Sequence, residues 1–359
     1  MTNCEDAFTM KILPHFAWDA VNGLFCRIKK RVYMYQLRKF HQNQRNQASC
    51  GLRVLVASSE GGIGNAVEAT GLVHAIRILW PKCHLTFVTP YAELFENWCV
   101  VDRIIATPET IRDEVFEHTF FAYFYEKPGL WKERCSLGKM HYPKVWLMKW
   151  FLKSEREYYV DMARRCGYEG PCPANYVTIK KPLTIPPDVG LRVCIAACGR
   201  NDALWRHKRW PYYSELVELL SKKRTNVQLC VVGTQDDEMP RFPRGFANKV
   251  DLRGAYTLSE TAWIMQNSDI VVGNDCGPMH IASAVNTPSV VIFGPTCIIK
   301  NAYYGKTETI YPENLQCWPC QYDIEHLDGC RTGECIKSIC PEKVMQKVEI
   351  MLGRKNGVI

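Results

Sequence analysis

The 359-residue sequence contains no uninterrupted apolar run long enough to span a bilayer, which takes about 20 residues. Its first residues lack the hydrophobic segment of a secretory signal. Motifs for DNA or RNA are lacking too. The formal charge of +8 therefore points to an anionic membrane surface or to phosphorylated ligands, and no nucleic-acid partner is expected. The glycine-rich turn at Ser58–Asn65 has the wrong spacing for a dinucleotide fingerprint, and no acidic residue ends the strand after it. These absences lead to an expected cytoplasmic location, with peripheral seating on the inner face of a membrane as an extension of it.

What the sequence has in excess is cysteine, 18 in all. Without a secretory signal most should be reduced thiols. Several, including Cys194, Cys198 and Cys230, sit in or beside apolar strand-like runs, where a thiol packs as a small hydrophobe. Hydrophobic content of 47% and charged content of 23% describe a globular chain. Its length fits two domains of ordinary size.

In chain order, residues 1–50 read as a basic and aromatic extension. Phe25–Phe40 gives an apolar stripe edged by Lys and Arg. Two readings stand: an amphipathic helix on an anionic membrane, or a helix packed on protein. Leu52–Ala57 reads as the first core strand, Ala66–Trp80 as a helix stopped by Pro81, and Leu85–Val88 as the next strand. That βαβ opening predicts an α/β fold with a parallel sheet. Residues 109–159 are rich in aromatics, among them Phe120, Phe121, Tyr123, Phe124, Trp131 and Trp146. Most should be core; some would suit a sugar or glycolipid. Ser154–Gly167 reads as a helix, and the Pro-rich Lys180–Pro187 as a domain boundary. The division expected is 51–185, 186–340 and a final helix in 341–359 that returns to the first domain.

The stretch around which the second half is organised is Asp269–Thr296, DIVVGNDCGPMHIASAVNTPSVVIFGPT. Ile270–Val272 is a β-branched run for a buried parallel strand. Asn274–Pro278 is turn chemistry, Met279–Val285 a helix, and Ser289–Phe293 the next strand. That order places Asp275, Cys276, Gly277 and His280 at the carboxyl end of a sheet, where open α/β folds bind ligands. A helix start there offers free N–H groups to a phosphate. The plainer alternative is that Asp275 only caps the helix and His280 is buried within it.

The phrase D-x-G-P-M-H-x-A-x-A-x-x-x-P-x-V-x-x-F-G-P-T, read from Asp275 to Thr296, resembles the donor-site signature of glycosyltransferase family 9, the lipopolysaccharide heptosyltransferases. Lys208-Arg209-Trp210-Pro211 is similar to that family's Lys-x-Trp-Pro signature. The resemblance covers about residues 52–352. It implies a GT-B architecture, two Rossmann-like domains facing a cleft, and transfer of a sugar from a nucleotide sugar with inversion, ADP-heptose being the best-known donor. The acceptor would be a glycan, glycolipid or protein, and an oligomer is compatible. In this frame Asp275 would hold sugar hydroxyls and Lys208 the diphosphate, so that no catalytic divalent metal is expected. No hydroxyl residue lies between Cys198 and Lys208, which leaves backbone, Asn201 or Arg206 for further phosphate contacts. One acid of Asp236, Asp237 and Glu238 would bind the ribose; Asp236 and Glu238 are the ones carried forward.

The sequence departs from the resemblance at Asn65, where the family has the aspartate thought to deprotonate the acceptor. An amide cannot take that proton. Glu60 and Glu68 are the substitute bases, with Glu68 also at capping-box spacing from Asn65, the role favoured for it. A non-catalytic sugar-nucleotide binder and a nucleotide-sugar epimerase on the same fold are the rivals. Near the C-terminus Cys317-Trp318-Pro319-Cys320 is a C-x-x-C knuckle with Cys330, Cys335 and Cys340 behind it. The family resemblance picks Cys317, Cys320, Cys330 and Cys335 as a closed four-thiolate site for structural zinc, with iron as the alternative.

Overall fold

The computed structural model describes residues 51–124, 131–132, 135–144, 153–187, 190–200, 202–321 and 323–355. The expected extension at 1–50, Trp146 and Asn201 lie outside these residues.

Two parallel sheets make the fold. The first takes β1 (Arg53–Ala57), β2 (His84–Val88), β3 (Arg103–Ile105), β4 (Val115–Phe121) and β5 (Ser136–His141) in the order β3-β2-β1-β4-β5. The second takes β6 (Leu191–Ala196), β7 (Val227–Val231), β8 (Lys249–Asp251), β9 (Ile270–Asn274), β10 (Ser289–Ile292) and β11 (Thr307–Ile310) in the order β11-β10-β9-β6-β7-β8. Each sheet winds outward from its first strand in both directions. The order therefore reverses between β1 and β4, and again between β6 and β9, the two places where such sheets open a ligand crevice. This is the α/β, two-Rossmann architecture expected from the sequence.

The strands form because their runs are apolar and β-branched, and both faces are covered. Period-two alternation sends Val54 and Val56 to one apolar cluster and Leu55 and Ala57 to another. In β6 the same alternation sends Cys194 and Ala196 inward and Val193 and Ile195 outward. The inward cluster is continuous through both halves. It runs from Val54 and Tyr159 through Leu72 to Met279, Val271 and Phe293. The helices α1 (Ile63–Leu79) and α2 (Glu155–Arg164) pack together beside the first sheet. In the second half are α3 (Tyr213–Lys223), α4 (Leu258–Gln266), α5 (Gly277–Ala284), two short helices α6 (Ile324–Gly329) and α7 (Glu334–Lys337), and α8 (Pro341–Lys355).

The two halves meet at several places, among them the contact of α2 with the loop at 300–304 and two seams. At one, α1 crosses α5, and the crossing needs glycines on both sides. A Cβ on Gly64 would stand 2.7 Å from the His280 ring, and a Cβ on Gly277 would stand 2.7 Å from Ile63 Cβ. At the other, Ser259 Oγ donates to the Glu93 carbonyl at 2.7 Å, and the Lys180 N–H donates to the Ser259 carbonyl at 3.1 Å.

The last helix corrects an expectation. It packs not on the first half but on α3 and β10 of the second. Val344, Met345, Val348, Met351 and Leu352 are buried there with Val193, Leu216 and Ile270. Those five positions follow helical spacing and form one stripe. Burying each is worth about 1.5–3 kcal/mol. Ion pairs Arg224–Glu349 and Lys347–Glu308 hold the rim. No helix among the described residues is long and apolar enough to cross a membrane.

Candidate active site

The carboxyl ends of both sheets face one cleft of about 1240 Å³. On its second-half wall, β9 ends in Asn274, a wholly buried amide that fixes the surrounding loops. Its Oδ1 accepts from the Trp210 N–H at 2.9 Å and from the Tyr213 hydroxyl at 3.0 Å. Its Nδ2 donates to the Cys198 carbonyl at 2.8 Å. The strand end, the Lys208–Pro211 turn and the turn after β6 are thereby locked in one arrangement. Trp210 is core: it is 2% exposed and its indole N–H donates to the Ile339 carbonyl.

Asp275 comes next and lines the cleft. Its carboxylate accepts from Asn301 Nδ2 and from the Tyr303 hydroxyl, each at 2.7 Å. Lys208 Nζ stands 3.3 Å away. Burial raises the carboxyl pKa, but Lys208 foremost, then Thr296, His280 and Tyr303, outweigh it and hold Asp275 at about 2. It is therefore a fixed anion and no helix cap. Lys208 also lies 5.5 Å from the centroid of the Trp205 ring, which keeps the ammonium at the cleft wall. The helix α5 starts at Gly277, with Cys276 as its N-cap residue and no side-chain cap bond. Its N-terminal end faces the same space, since Cys276, Gly277, Pro278 and His280 all line it.

The acidic loop after β7 divides by role. Asp237 is buried and structural: it accepts from Thr234 N–H at 2.8 Å and from Arg209 at 2.7 Å. Asp236 is exposed and lines the cleft. Glu238 is exposed and is not among the lining residues, so the structure does not bring it to the site. Arg206 is turned away as well, donating to the carbonyls of Asp328 and Cys330.

On the first-half wall, Asn65 fills the capping role assigned to Glu68 by spacing. Its Oδ1 accepts from the Gly62 N–H at 2.9 Å, and its Nδ2 donates to Glu155 Oε1 at 2.8 Å. Glu155, the first residue of α2, also receives the Tyr159 hydroxyl and the Lys300 ammonium. Its Oε1 thus accepts two hydrogen bonds and its Oε2 the ammonium. Glu68, one turn beyond Asn65 on the same face, is in a different condition. It is 2% exposed and lines the cleft. Its Oε1 has no hydrogen-bond partner, with His280 Nδ1 at 3.9 Å. Burial first, then the neighbouring Glu155, pushes its pKa well above the ordinary carboxyl value. Burial likewise lowers His280 to about 4, against the pull of Asp275 and Glu155. Glu60 is exposed at the cleft mouth.

Glu155, Lys300, Asn301 and Tyr303 escaped the sequence reading. Glu155 carried a signal in its N-cap serine, Ser154, which marked a helix start. Lys300–Tyr303 lies in a loop with no periodicity, and only its approach to Asp275 in space reveals it.

The cysteine knuckle stands behind the Lys208 turn. Cys320 and Cys335 are buried, at 7% and 6% exposure. Burial pushes Cys320 up to about 11, with Cys317 and Cys330 adding to it. Cys335 reaches about 12 from burial, then from Cys320, Cys330 and Cys317. The four thiols expected to act together are thus near enough to repel one another as anions. The Cys330 carbonyl accepts from His207 Nε2 at 2.9 Å and from Arg206 at 2.6 Å, which ties this segment to the turn bearing Lys208.

Comparison with known proteins bears on the second half most directly. Residues 191–329 match the model of glycosyltransferase family 9 (heptosyltransferase). Among curated relatives, lipooligosaccharide heptosyltransferase 2 of Haemophilus influenzae is 38% identical over 100 residues, covering 25% of this chain and 28% of that protein. Lipopolysaccharide heptosyltransferase 1 of Escherichia coli K12 is 28% identical over 152 residues, covering 41% and 46%. The chain thus spans less than half the length of these relatives. Among solved structures, E. coli ADP-heptose lps heptosyltransferase II aligns with a TM-score of 0.63 at 14% identity, over 85% of this chain and 100% of that one. The iron-containing dodecameric glycosyltransferase TibC of enterotoxigenic E. coli H10407 aligns with 0.60 at 14% identity, over 85% and 77%. At such identities the structures speak for the fold.

Proposed function

We propose that the protein, whose residues 191–329 match the model of glycosyltransferase family 9, is a glycosyltransferase that moves a heptose from ADP-heptose to an acceptor hydroxyl. The support is chemical as well as familial. A diphosphate seated at the N-terminal end of α5 meets free N–H groups and the Lys208 ammonium. Asp275, fixed as an anion, accepts from sugar hydroxyls on the lone pairs left by Asn301 and Tyr303. Asp236 is the acid placed to take the ribose diol. Residues 51–185 would carry the acceptor and 186–340 the donor.

Transfer breaks the bond from the anomeric carbon to the diphosphate and forms one to the acceptor oxygen. The proton on that oxygen needs a base on the first-half wall. Glu68 is that base: its Oε1 is unpartnered, it lines the cleft, and burial makes its ionised form a stronger base than an exposed carboxylate. Asn65 serves it by capping α1 and by binding Glu155. Attack from the face opposite the diphosphate would invert the anomeric centre. Glu68 also removes the motive for a non-catalytic reading, which rested on the amide at Asn65. The single observation that carries the proposal is this unpartnered carboxyl facing the Lys208–Asp275 pair across one cleft. Incubation of purified protein with ADP-heptose and a panel of glycan, glycolipid and protein acceptors tests it: acceptor-dependent ADP release is expected.

The four thiols of the knuckle fit a structural metal in donor type; Cys320 and Cys335 are buried, Cys317 and Cys330 half-buried, and no three of their sulfurs come within 4.8 Å of one another, so an ion would have to draw them together. Cys317, Cys320, Cys330 and Cys335 would hold zinc or iron, and the ion would supply rigidity behind the Lys208 turn.

A further inference from the structure

Far from the knuckle, in the first half, three side chains of metal-ligating type converge. His118 lies on β4, His141 ends β5, and Cys166 follows α2. All three are buried, and one ligand atom from each lies within 4.8 Å of the other two. His118 Nδ1 and His141 Nε2 are 3.0 Å apart. Cys166 Sγ is 3.8 Å from that same Nε2. Bonds of about 2.0 Å to nitrogen and about 2.3 Å to sulfur span these two separations, and Cys166 Sγ also lies 3.7 Å from His141 Nδ1.

Strand register builds the group. Lys139 pairs with His118, and His141 with Phe120, so period two puts both imidazoles on the face toward α2. Aromatic rings fix their planes. Phe120 stacks on His141 at 4.2 Å, Trp80 covers His118 at 4.6 Å, and the imidazoles lie 12° from parallel. Because β5 is an edge strand, the group sits at the rim of the sheet.

The chemistry selects the ion. Histidine binds metal as the neutral imidazole and cysteine as the thiolate. Two imidazole nitrogens and one thiolate are a soft set of charge −1. No fourth His, Cys, Asp or Glu among the described residues joins it. A divalent ion would leave a net positive charge beside Lys139 and Arg165, whereas a monovalent one leaves none.

We propose that His118, His141 and Cys166 form a three-coordinate site for a soft monovalent cation, Cu(I). On binding, the Cys166 S–H bond breaks, the proton goes to solvent and a sulfur–copper bond forms. No electron is transferred. The site is independent of the cleft and of the glycosyl-transfer reading.

The test is an anaerobic titration of the full-length protein, its knuckle first saturated with zinc, with Cu(I) against a colorimetric Cu(I) chelator. Cys166→Ala and His118→Gln are run alongside. The wild type should take up one equivalent more than either variant, and X-ray absorption should show two nitrogens and one sulfur at that copper. Should the variants fail to fold, the wild-type imidazole 15N resonances decide: those of His118 and His141 should shift on Cu(I) addition. Equal stoichiometry in folded variants, or unshifted imidazoles, overturns the site. Zinc displacing copper from these imidazoles overturns the monovalent assignment.

Discussion

Glu68 and His280 come from different halves of the chain and stand 3.9 Å apart, Oε1 to Nδ1. Burial drives both toward their uncharged forms. Only the ionised carboxylate of Glu68 can take a proton, and its burial makes that carboxylate a stronger base than an exposed one. The arrangement exists only where α1 crosses α5, so the base is completed by contact between the halves.

Replacing Glu68 by Gln keeps the shape and removes the base. Turnover should fall by roughly 10²–10⁴-fold, with ADP affinity unchanged, since Glu68 faces the acceptor side. The same change should stabilise the fold at neutral pH. Glu68 has a folded pKa above its ordinary value, so its stability contribution is full below about 4.5 and is lost as pH rises through the folded pKa. Thermal melts at pH 5 and pH 8 check this: the variant should gain on the wild type at the higher pH. Unaltered turnover would remove Glu68 from the chemistry.

Histidine burial sets the opposite slope. His118, His141 and His280 titrate at about 4, 3 and 4 in the fold, against 6.5 unfolded. Their contribution is present above pH 6.5 and is lost as pH falls toward 4, because the unfolded chain takes up protons first. Each is worth on the order of 1–3 kcal/mol. Denaturant midpoints should be flat above pH 7 and decline steeply below 6. Substituting His280 by Gln should flatten part of that decline.

Lys300 is the cation that makes Glu155 tolerable. Lys300→Met leaves a buried carboxylate without its counter-charge, a loss of about 3–5 kcal/mol. The Glu155 carboxyl would then release Asn65 as well, so donor turnover should fall together with the melting temperature. The double change Glu155→Gln with Lys300→Met should recover much of the stability, and a double-mutant cycle measures it.

Gly64 is required by proximity. Alanine there brings a methyl group to 2.7 Å from the His280 ring, too close for either side to keep its place. Gly64→Ala should open the α1–α5 seam, with a larger radius in small-angle scattering and weaker turnover, at near-unchanged melting of each half. An unchanged radius would mean that the ring simply rotates aside.

The sheets were legible because their strands are short β-branched runs between glycine and proline, and parallel burial leaves little else they could form. The Lys208 and Asp275 positions were legible because a strand end and a helix start fix them locally. The cap was misread: spacing allowed both Asn65 and Glu68, and only the orientation of α1 gives the Gly62 N–H to Asn65. The last helix was misread for a related reason. Its stripe at Val344–Leu352 shows that one face is buried, yet not on which half. Lys300, Asn301 and Tyr303 were invisible, and Glu155 showed only as a helix start, because their roles come from contacts across 26 to 145 residues of sequence, which no local pattern encodes.

The Lys208–Asp275 corner, as proposed, holds a nucleotide sugar for transfer. ADP release from ADP-heptose by the purified protein, with and without acceptor, beside Lys208→Ala and Glu68→Gln, tests this. Acceptor-dependent release is expected of the wild type, loss of donor binding together with turnover of Lys208→Ala, and retained binding with lost turnover of Glu68→Gln. Release that persists undiminished in Lys208→Ala, or a wild type that binds no ADP-heptose, would contradict it.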